Sequence, residues 1–428
     1  MRWQNQMVGC TDKGCKEGLF TAYMPALPFD STYNPRAMNR REFLASSLVL
    51  AAIPAPFPIA PRFDLVIKGG RVLDASQKID RTMDVAIRQG KIALLQPDIS
   101  PTDAAEVFDA RGRIVTPGLV DIHEHVRPGE LSAEQVLSTG VTTVVDAGSR
   151  GADGILDMIA VSNSAPNRVR VLINVSRLGN QADGELLRFA SADPEAARAA
   201  IRTHRNIIVG VKARLSQQYA GEHDLDAVRL SHQITQGFGI PLMIHIGDTR
   251  SPLPEILALM HPGDIVTHMY SPPPHGILDD NGRVLPQVRE ARSRGVLFDV
   301  GNGRNGHITW EVVERALAQD FIPDTITSDL NGAGLTDQVF DFPNVLSKFL
   351  MLGMSLDQVV ARGTFNSARA IPALKGLGTL QPGSPADVTI LELMSGDFEF
   401  DDNAHTKRTG HQKLFPRAVF VAGKRWRG

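Results

Sequence analysis

The sequence predicts an α/β fold, a (β/α)8 TIM barrel carried by a small β-sandwich domain that the two ends of the chain build together. Three observations predict it. Eight short apolar runs, each fit for a buried strand, recur through the centre of the chain with helix-like stretches between them. The segments on either side of that centre are instead rich in short strands with Gly-centred turns. The length, 428 residues, holds one large barrel and one smaller domain.

Residues 1–37 mix Gly, Pro, Tyr and isolated charges without periodicity and read as a disordered or mis-annotated leader. Cys10 and Cys15, the only cysteines, lie there, so the rest of the chain has neither a disulfide framework nor a cysteine nucleophile. Met38 then opens M-N-R-R-E-F-L, in which Arg40 and Arg41 precede Phe43, Leu44 and an apolar run that ends near Ile53. Paired arginines before a weakly apolar run have the pattern of a twin-arginine signal peptide over residues 38–61, with translation beginning at Met38. The run is too short to span a membrane. The expected location is the periplasm. The competing reading is a basic surface turn on a cytoplasmic protein.

Residues 62–116 and 375–428 are assigned to the small β-domain. Leu65-Val66-Ile67 leads through Gly69-Gly70 to Val72-Leu73, and Val85-Ala86-Ile87 leads through Gly90 to Ile92. Leu380–Leu393 and Arg417–Arg425 have the same character at the other end. Residues 117–374 are assigned to the barrel. Its runs are Leu119–His125, Thr142–Asp146, Val169–Val175, Ile207–Lys212, Leu242–His245, Asp264–His268, Val296–Asp299 and Thr325–Asp329, with helical stretches such as Pro194–His204 and Asp224–Gln236 between them.

A net charge of -2 without a basic stripe argues against nucleic acid as a partner. With 43% hydrophobic and 21% charged residues the chain reads as globular and not as an integral membrane protein. The expected partner is a small-molecule substrate, and self-association into a homo-oligomer stays open.

The chemistry concentrates at the ends of the runs. Val115–His125 reads V-T-P-G-L-V-D-I-H-E-H. In a strand, alternation points His123 and His125 to one face and Glu124 to the other. The fourth run ends in Lys212, the fifth in His245, the sixth in His268 and the eighth in Asp329. Taken singly, a strand-end His is usually hydrogen-bonded and a Lys is usually on the surface. In a barrel, however, all C-terminal strand ends open on one face, so these residues converge on one cavity. Imidazoles and a carboxylate brought together there form a metal site.

This order of residues resembles the amidohydrolase superfamily, and in particular its members with two metals and a carboxylated lysine, such as dihydroorotases, hydantoinases and phosphotriesterases. The stretch F-D-F-P-N-V-L-S-K-F-L-M-L-G-M-S-L at residues 340–356, followed by Thr364, Asn366 and Ala370, is similar to the dihydroorotase-like amidohydrolase/deacetylase branch. The resemblance runs from about Phe63 to the C-terminus. It implies two divalent metal ions, zinc being the first choice. His123, His125 and Asp329 would hold one, His245 and His268 the other, and Lys212 would bridge them as its carbamate. It implies further that a water shared by the metals attacks a carbonyl as hydroxide, with Asp329 as the catalytic proton shuttle.

Other polar residues near strand ends are weaker candidates. Arg127 and Arg177 could each fork onto a substrate carboxylate or make a structural ion pair. Tyr270 could donate to a developing oxyanion. His307, in G-N-G-R-N-G-H, could shape the pocket or simply close a turn. Asp121 could orient the His pair or cap its strand. His275 reads as a loop residue, and His204, His223 and His232 as helix-surface residues.

The expected function is metal-dependent hydrolysis of an amide or ester bond in a small molecule, with an acylated small acid as the leading substrate. A cyclic amidase of dihydroorotase or hydantoinase type, a D-aminoacylase and a non-catalytic scaffold are the alternatives. A deaminase fits less well, because such relatives generally lack the bridging lysine.

Overall fold

The computed structural model describes residues 61–427. The leader with Cys10 and Cys15, and the export motif at Arg40 and Arg41, lie outside the described residues. Among the described residues, no helix is long and apolar enough to cross a membrane.

Strands from both ends of the chain share one eight-stranded sheet. The strands β1 (Phe63–Asp74), β2 (Ile79–Arg88), β3 (Lys91–Gln96), β4 (Ala104–Asp109) and β5 (Ile114–Pro117) precede the barrel. The remaining three strands of this sheet follow it: β13 (Val388–Asp401), β14 (Lys407–Val421) and β15 (Lys424–Arg425). The seam is the antiparallel pair β5–β13, where Val115 faces Ile390 and Pro117 faces Val388. Leu65, Ile67, Val85, Ile87, Val388 and Phe420 bury one face of this sheet, so the ends are joined by apolar packing as well as by hydrogen bonds. Buried Asp74 adds a polar tie, accepting hydrogen bonds from the amide of Leu380 (2.7 Å) and the hydroxyl of Thr379 (3.2 Å).

The sequence expectation ended one strand near Leu393 and began the next at Arg417. The observed hairpin β13–β14 instead runs on toward its tip, to Asp401 and from Lys407, through residues 394–397 that face solvent and carry no apolar alternation. Its outer half packs on the helix Phe342–Met351, where the Leu414 amide donates to Ser347 Oγ at 2.9 Å.

The central strands are β6 (Leu119–Glu124), β7 (Val141–Ala147), β8 (Arg168–Asn174), β9 (Ile208–Arg214), β10 (Leu242–His245), β11 (Ile265–Thr267) and β12 (Leu297–Phe298). They pair in sequence order, all parallel. Continuous apolar runs suit them because both faces are covered: the outer by helices, the inner by other strands. The eighth run does not form a regular strand. It closes the ring through isolated parallel bridges, Asp299 with Thr325 and Glu124 with Leu330. Asp329 has φ 50°, which takes the run out of extended geometry where its carboxylate is presented. The helices are specified locally as well. Asp193 caps Pro194–Thr203, which has Pro at its first turn and buries Ala197 and Ile201 on one face.

Candidate metal centre

Strand alternation and barrel closure bring six of the predicted residues to one end of the barrel. His123 and His125 leave β6 on the same side, and the eighth run lies directly beside it. The Asp329 amide donates to His123 O (2.7 Å), and the His125 amide donates to Leu330 O (2.9 Å). His125 Nε2 is 3.1 Å and His123 Nε2 3.4 Å from Asp329 Oδ1. These three form one group able to hold a cation. His245, His268 and His307 form a second. The His268 ring is centred 4.2 Å from that of His245 and 3.8 Å from that of His307. Lys212 reaches in from β9, with Nζ 2.9 Å from His123 Nε2. Gly148 leaves it room, since a Cβ there would lie 2.7 Å from Lys212 Cβ.

The imidazoles are held from behind. His123 Nδ1 lies 2.9 Å from Thr267 Oγ1, whose proton goes to Asp299 at 2.6 Å. His125 Nδ1 lies 3.0 Å from Ser149 Oγ, which donates to Asp146 at 2.6 Å. His268 Nδ1 donates to Gly301 O at 2.7 Å. Its Nε2 therefore carries the lone pair, and that atom is buried without any partner. Such a backing fixes the ring and leaves the inward nitrogen free to ligate.

The electrostatics call for a cation. Burial holds His123, His245 and His268 well below the usual histidine value, so they are neutral at pH 7. Burial also brings Lys212 down to about 7. Burial alone would raise Asp329, but the imidazoles of His123, His125 and His307 outweigh it and keep the carboxyl well below its usual range. Neutral imidazoles, an ionised carboxylate and an orphaned ring nitrogen are a donor set that fits divalent metal.

Asp121 ties together the two segments that carry His123, His125 and Asp329. It accepts from the amides of His123 (3.1 Å) and Ser328 (3.0 Å), so it positions the His pair and is no simple strand cap. Glu124 points away from the cavity, as alternation requires, and both its oxygens are buried without partners. Burial, and then the charge of Asp121, raise its carboxyl well above the ordinary value, so it is held protonated.

The centre floors a cavity of about 530 Å³. Arg127 and His307 line it. Arg127 makes only a 3.6 Å approach to Glu130, and its Nε is buried without a partner.

Two sequence candidates are corrected. Tyr270 is fully buried and lies against Phe349, outside the cavity. His268 has φ 64°, and this left-handed residue turns the chain so that Tyr270 enters the helical layer. Arg177 is spent on Asp153 (2.8 Å) and Asp193 (3.7 Å) and does not line the cavity. His232 is not a free surface residue either. It is bonded to Asp264 at 2.8 Å and stacked on His261. His275 is fixed in its loop by Thr249 O at 2.7 Å.

Sequence reasoning missed Arg214, Tyr219, Asn180 and Arg304, all of which line the cavity. Arg214 had a legible signal, since it lies two residues beyond Lys212 on the same strand face. Asn180 and Arg304 come from loops and Tyr219 from the four-residue helix Gln217–Ala220, all too short or irregular to carry a periodicity.

Residues 114–425 match the model of the amidohydrolase family. The chain is 29% identical over 379 residues to a deacetylase of Enterococcus faecalis, covering 85% of this chain and 98% of that protein. It is similar to a crystal structure of an adenine deaminase, with TM-score 0.79, 28% identity, and coverage of 86% of this chain and 100% of that one. It is also similar to a crystal structure of a dihydroorotase, with TM-score 0.76, 26% identity, and coverage of 85% and 98%.

Proposed function

The chain belongs to the amidohydrolase family and is a metal-dependent hydrolase, and from that premise we propose that it is a deacylase cleaving the amide or ester bond of a small acylated acid. One observation carries the reading: two three-residue groups able to hold a metal, of which all but the fully buried His268 line the cavity, lie there with a buried lysine and with Arg127, whose Nε has no partner. The deacetylase of Enterococcus faecalis supports the acyl transfer to water. Arg127 supplies a fork for the carboxylate of the acid.

We take the centre to hold two divalent ions, zinc first. His123, His125 and Asp329 would hold one, and His245 and His268 the other, with His307 beside them. When bound, such ions acidify a water and polarise the acyl carbonyl. Lys212, as its carbamate, would complete the ligand set. A neutral amine adds carbon dioxide and releases one proton, and burial favours that neutral amine. Asp329 takes the proton from the attacking water and returns it to the leaving nitrogen or oxygen. Arg127 fixes the acid half of the substrate, and the backing of Thr267, Ser149 and Gly301 keeps the imidazoles from turning. Export through the motif at Arg40 and Arg41 is a further part of the proposal and rests on sequence alone.

The test is hydrolysis of N-acetyl amino acids and O-acetyl hydroxy acids by the metal-loaded protein, with dihydroorotate and hydantoins alongside. Cleavage of the acyl compounds is expected. Turnover of the cyclic amides alone would replace this reading by ring opening, as the similarity to a dihydroorotase allows. Lys212→Ala should lose metal and most activity, with part of both restored by short carboxylic acids. Full metal content in that variant would remove the carbamate.

A further inference from the structure

The stretch at residues 340–356 marks the family branch, yet none of its residues enters the cavity. Its lysine is nevertheless fully buried. Lys348 projects from the helix Phe342–Met351 and donates to Asn302 Oδ1 (3.1 Å) and Gln338 O (2.6 Å). Asn302 lies at the start of the loop that follows β12 and carries His307, and its side-chain Nδ2 donates to Gly303 O at 3.0 Å. Burial brings this amine down to about 7, and with no carboxylate bonded to it the two acceptors, and the Trp310 ring centred 5.9 Å away, are what keep it in place.

The same loop is gripped from the other side by the tip of the β13–β14 hairpin. Asn403 Oδ1 accepts from the amides of His307 (2.9 Å) and Ile308 (3.1 Å). Asn403 Nδ2 donates to Gly303 O (3.1 Å) and Gln338 Oε1 (2.8 Å). The Asn403 amide donates to Ile308 O at 3.0 Å. Every polar atom of this side chain is therefore spent on the loop or on Gln338. Its neighbour Asp402 accepts from the Trp310 amide at 3.1 Å and folds the tip by accepting from Ala404 and Thr406.

We propose that Lys348 and Asn403 are positioning residues, which clamp residues 302–308 between the helix and the C-terminal hairpin and so hold His307 against Asp329. The distance to be kept is short: His307 Nδ1 is 3.3 Å from Asp329 Oδ2. Asn302 and Gly303 are pinned to the eighth run through Thr327 O (3.0 Å) and Ser328 O (2.9 Å), but beyond them the loop has no regular structure of its own, and there the clamp limits the positions His307 can take. The C-terminal sheet thus reaches the reaction site through one asparagine. The kinetic part of this inference rests on the deacylase reading, and the exchange part does not.

The test compares Lys348→Met and Asn403→Ala with a control, Ser347→Ala. The control removes a hydrogen bond from the same helix to the hairpin stem, away from the loop. Amide hydrogen exchange is read at His307 and Ile308 in the full-length holoprotein. Lys348→Met should speed exchange at both amides although it touches neither. Both clamp variants should lower kcat by roughly 10²-fold, the scale of a misplaced group, with KM changed far less. Asn403→Asp keeps the acceptor for both amides and should recover part of kcat. Ser347→Ala should lower Tm alone. Unchanged exchange in Lys348→Met together with unchanged kcat in Asn403→Ala overturns the proposal. If Lys348→Met does not fold, Asn403→Ala and Asn403→Asp decide it by the same kcat criterion. If no acyl compound is turned over by the wild type, the deacylase reading fails while the exchange result still decides the clamp.

Discussion

Asp329 is the residue on which the site turns. It is ionised, nearly buried and within 3.1–4.0 Å of ring nitrogens of His123, His125, His268 and His307. Asp329→Asn keeps its size and can still ligate, but it cannot take a proton. Turnover should fall at least ~10²-fold, as expected of a general acid/base, with circular dichroism unchanged. Turnover near that of the wild type would exclude the shuttle. Gly303 carries a second residue-scale prediction. Its φ is 47°, and a Cβ there would lie 2.3 Å from both Asp329 Oδ2 and His307 Nδ1. Gly303→Ala must therefore displace one of the two. It should reduce bound metal and lower kcat on the order of 10²-fold while the fold persists. Retained metal and kcat would show that the loop absorbs the methyl. His123, His125, Lys212, His245, His268 and Asp329 were legible because each ends an apolar run. Gly303 was not, because its reason is two side chains from other segments.

The segment between β8 and the next helix, residues 175–193, is the element whose anchoring is most specific. It contributes Asn180 and Gln181 to the cavity wall. It is held by Arg214 at the end of β9, which donates to Glu185 Oε1 (2.7 Å) and Gln181 O (2.8 Å) and stacks 3.5 Å over the Tyr219 ring. Glu185 is buried, so Glu185→Ala leaves the largely buried Arg214 without its carboxylate, held only by Gln181 O and the Tyr219 ring. Removing one partner of such a pair costs about 3–5 kcal/mol. Part of that cost is expected as loop opening, so KM should rise more than kcat falls, and proteolysis should cut within residues 175–193. A variant that loses Tm with KM unchanged would make the pair purely structural. The sequence left Arg177 of this element open between a substrate carboxylate and a structural ion pair, and it is not at the substrate. Instead it ties the element to Asp153 and Asp193. An Arg in a loop reads alike in either role, and only its neighbours tell them apart.

At the scale of the whole molecule, the metal is expected to stabilise the barrel as well as to serve the reaction. The residues that would hold it come from β6, β10, the end of β11 and the eighth run, so bound metal would tie together strands that close the ring. Binding to the native state alone adds RT ln(1 + [L]/Kd), about 2.7 kcal/mol at one hundred times Kd. Chelation should abolish activity and lower Tm, and both should return on adding zinc. An unchanged Tm after verified metal loss would confine the metal to chemistry. Export is a prediction of the chain's N-terminal part. Replacing Arg40 and Arg41 by lysine should trap the protein in the cytoplasm. A wild type found only in the cytoplasm would reject the signal.

The sequence alone determined the class of fold and the candidate ligand set. Both are written in short-range regularities: apolar runs at βα spacing, alternation that puts His123 and His125 on one face, and donors placed at run ends. It also determined that the chain's two ends share a character, although not the length of the β13–β14 hairpin. Only the tertiary structure decided which donors meet. His307 joins His245 and His268 because the loop after β12 folds inward between Lys348 and Asn403, partners 41 and 96 residues away from it. Tyr270 leaves the site because a single left-handed residue, His268, reverses the chain. Period and composition encode which face a side chain takes along its own strand. They carry no information on the path of an irregular loop, which is set by hydrogen bonds to segments distant in sequence.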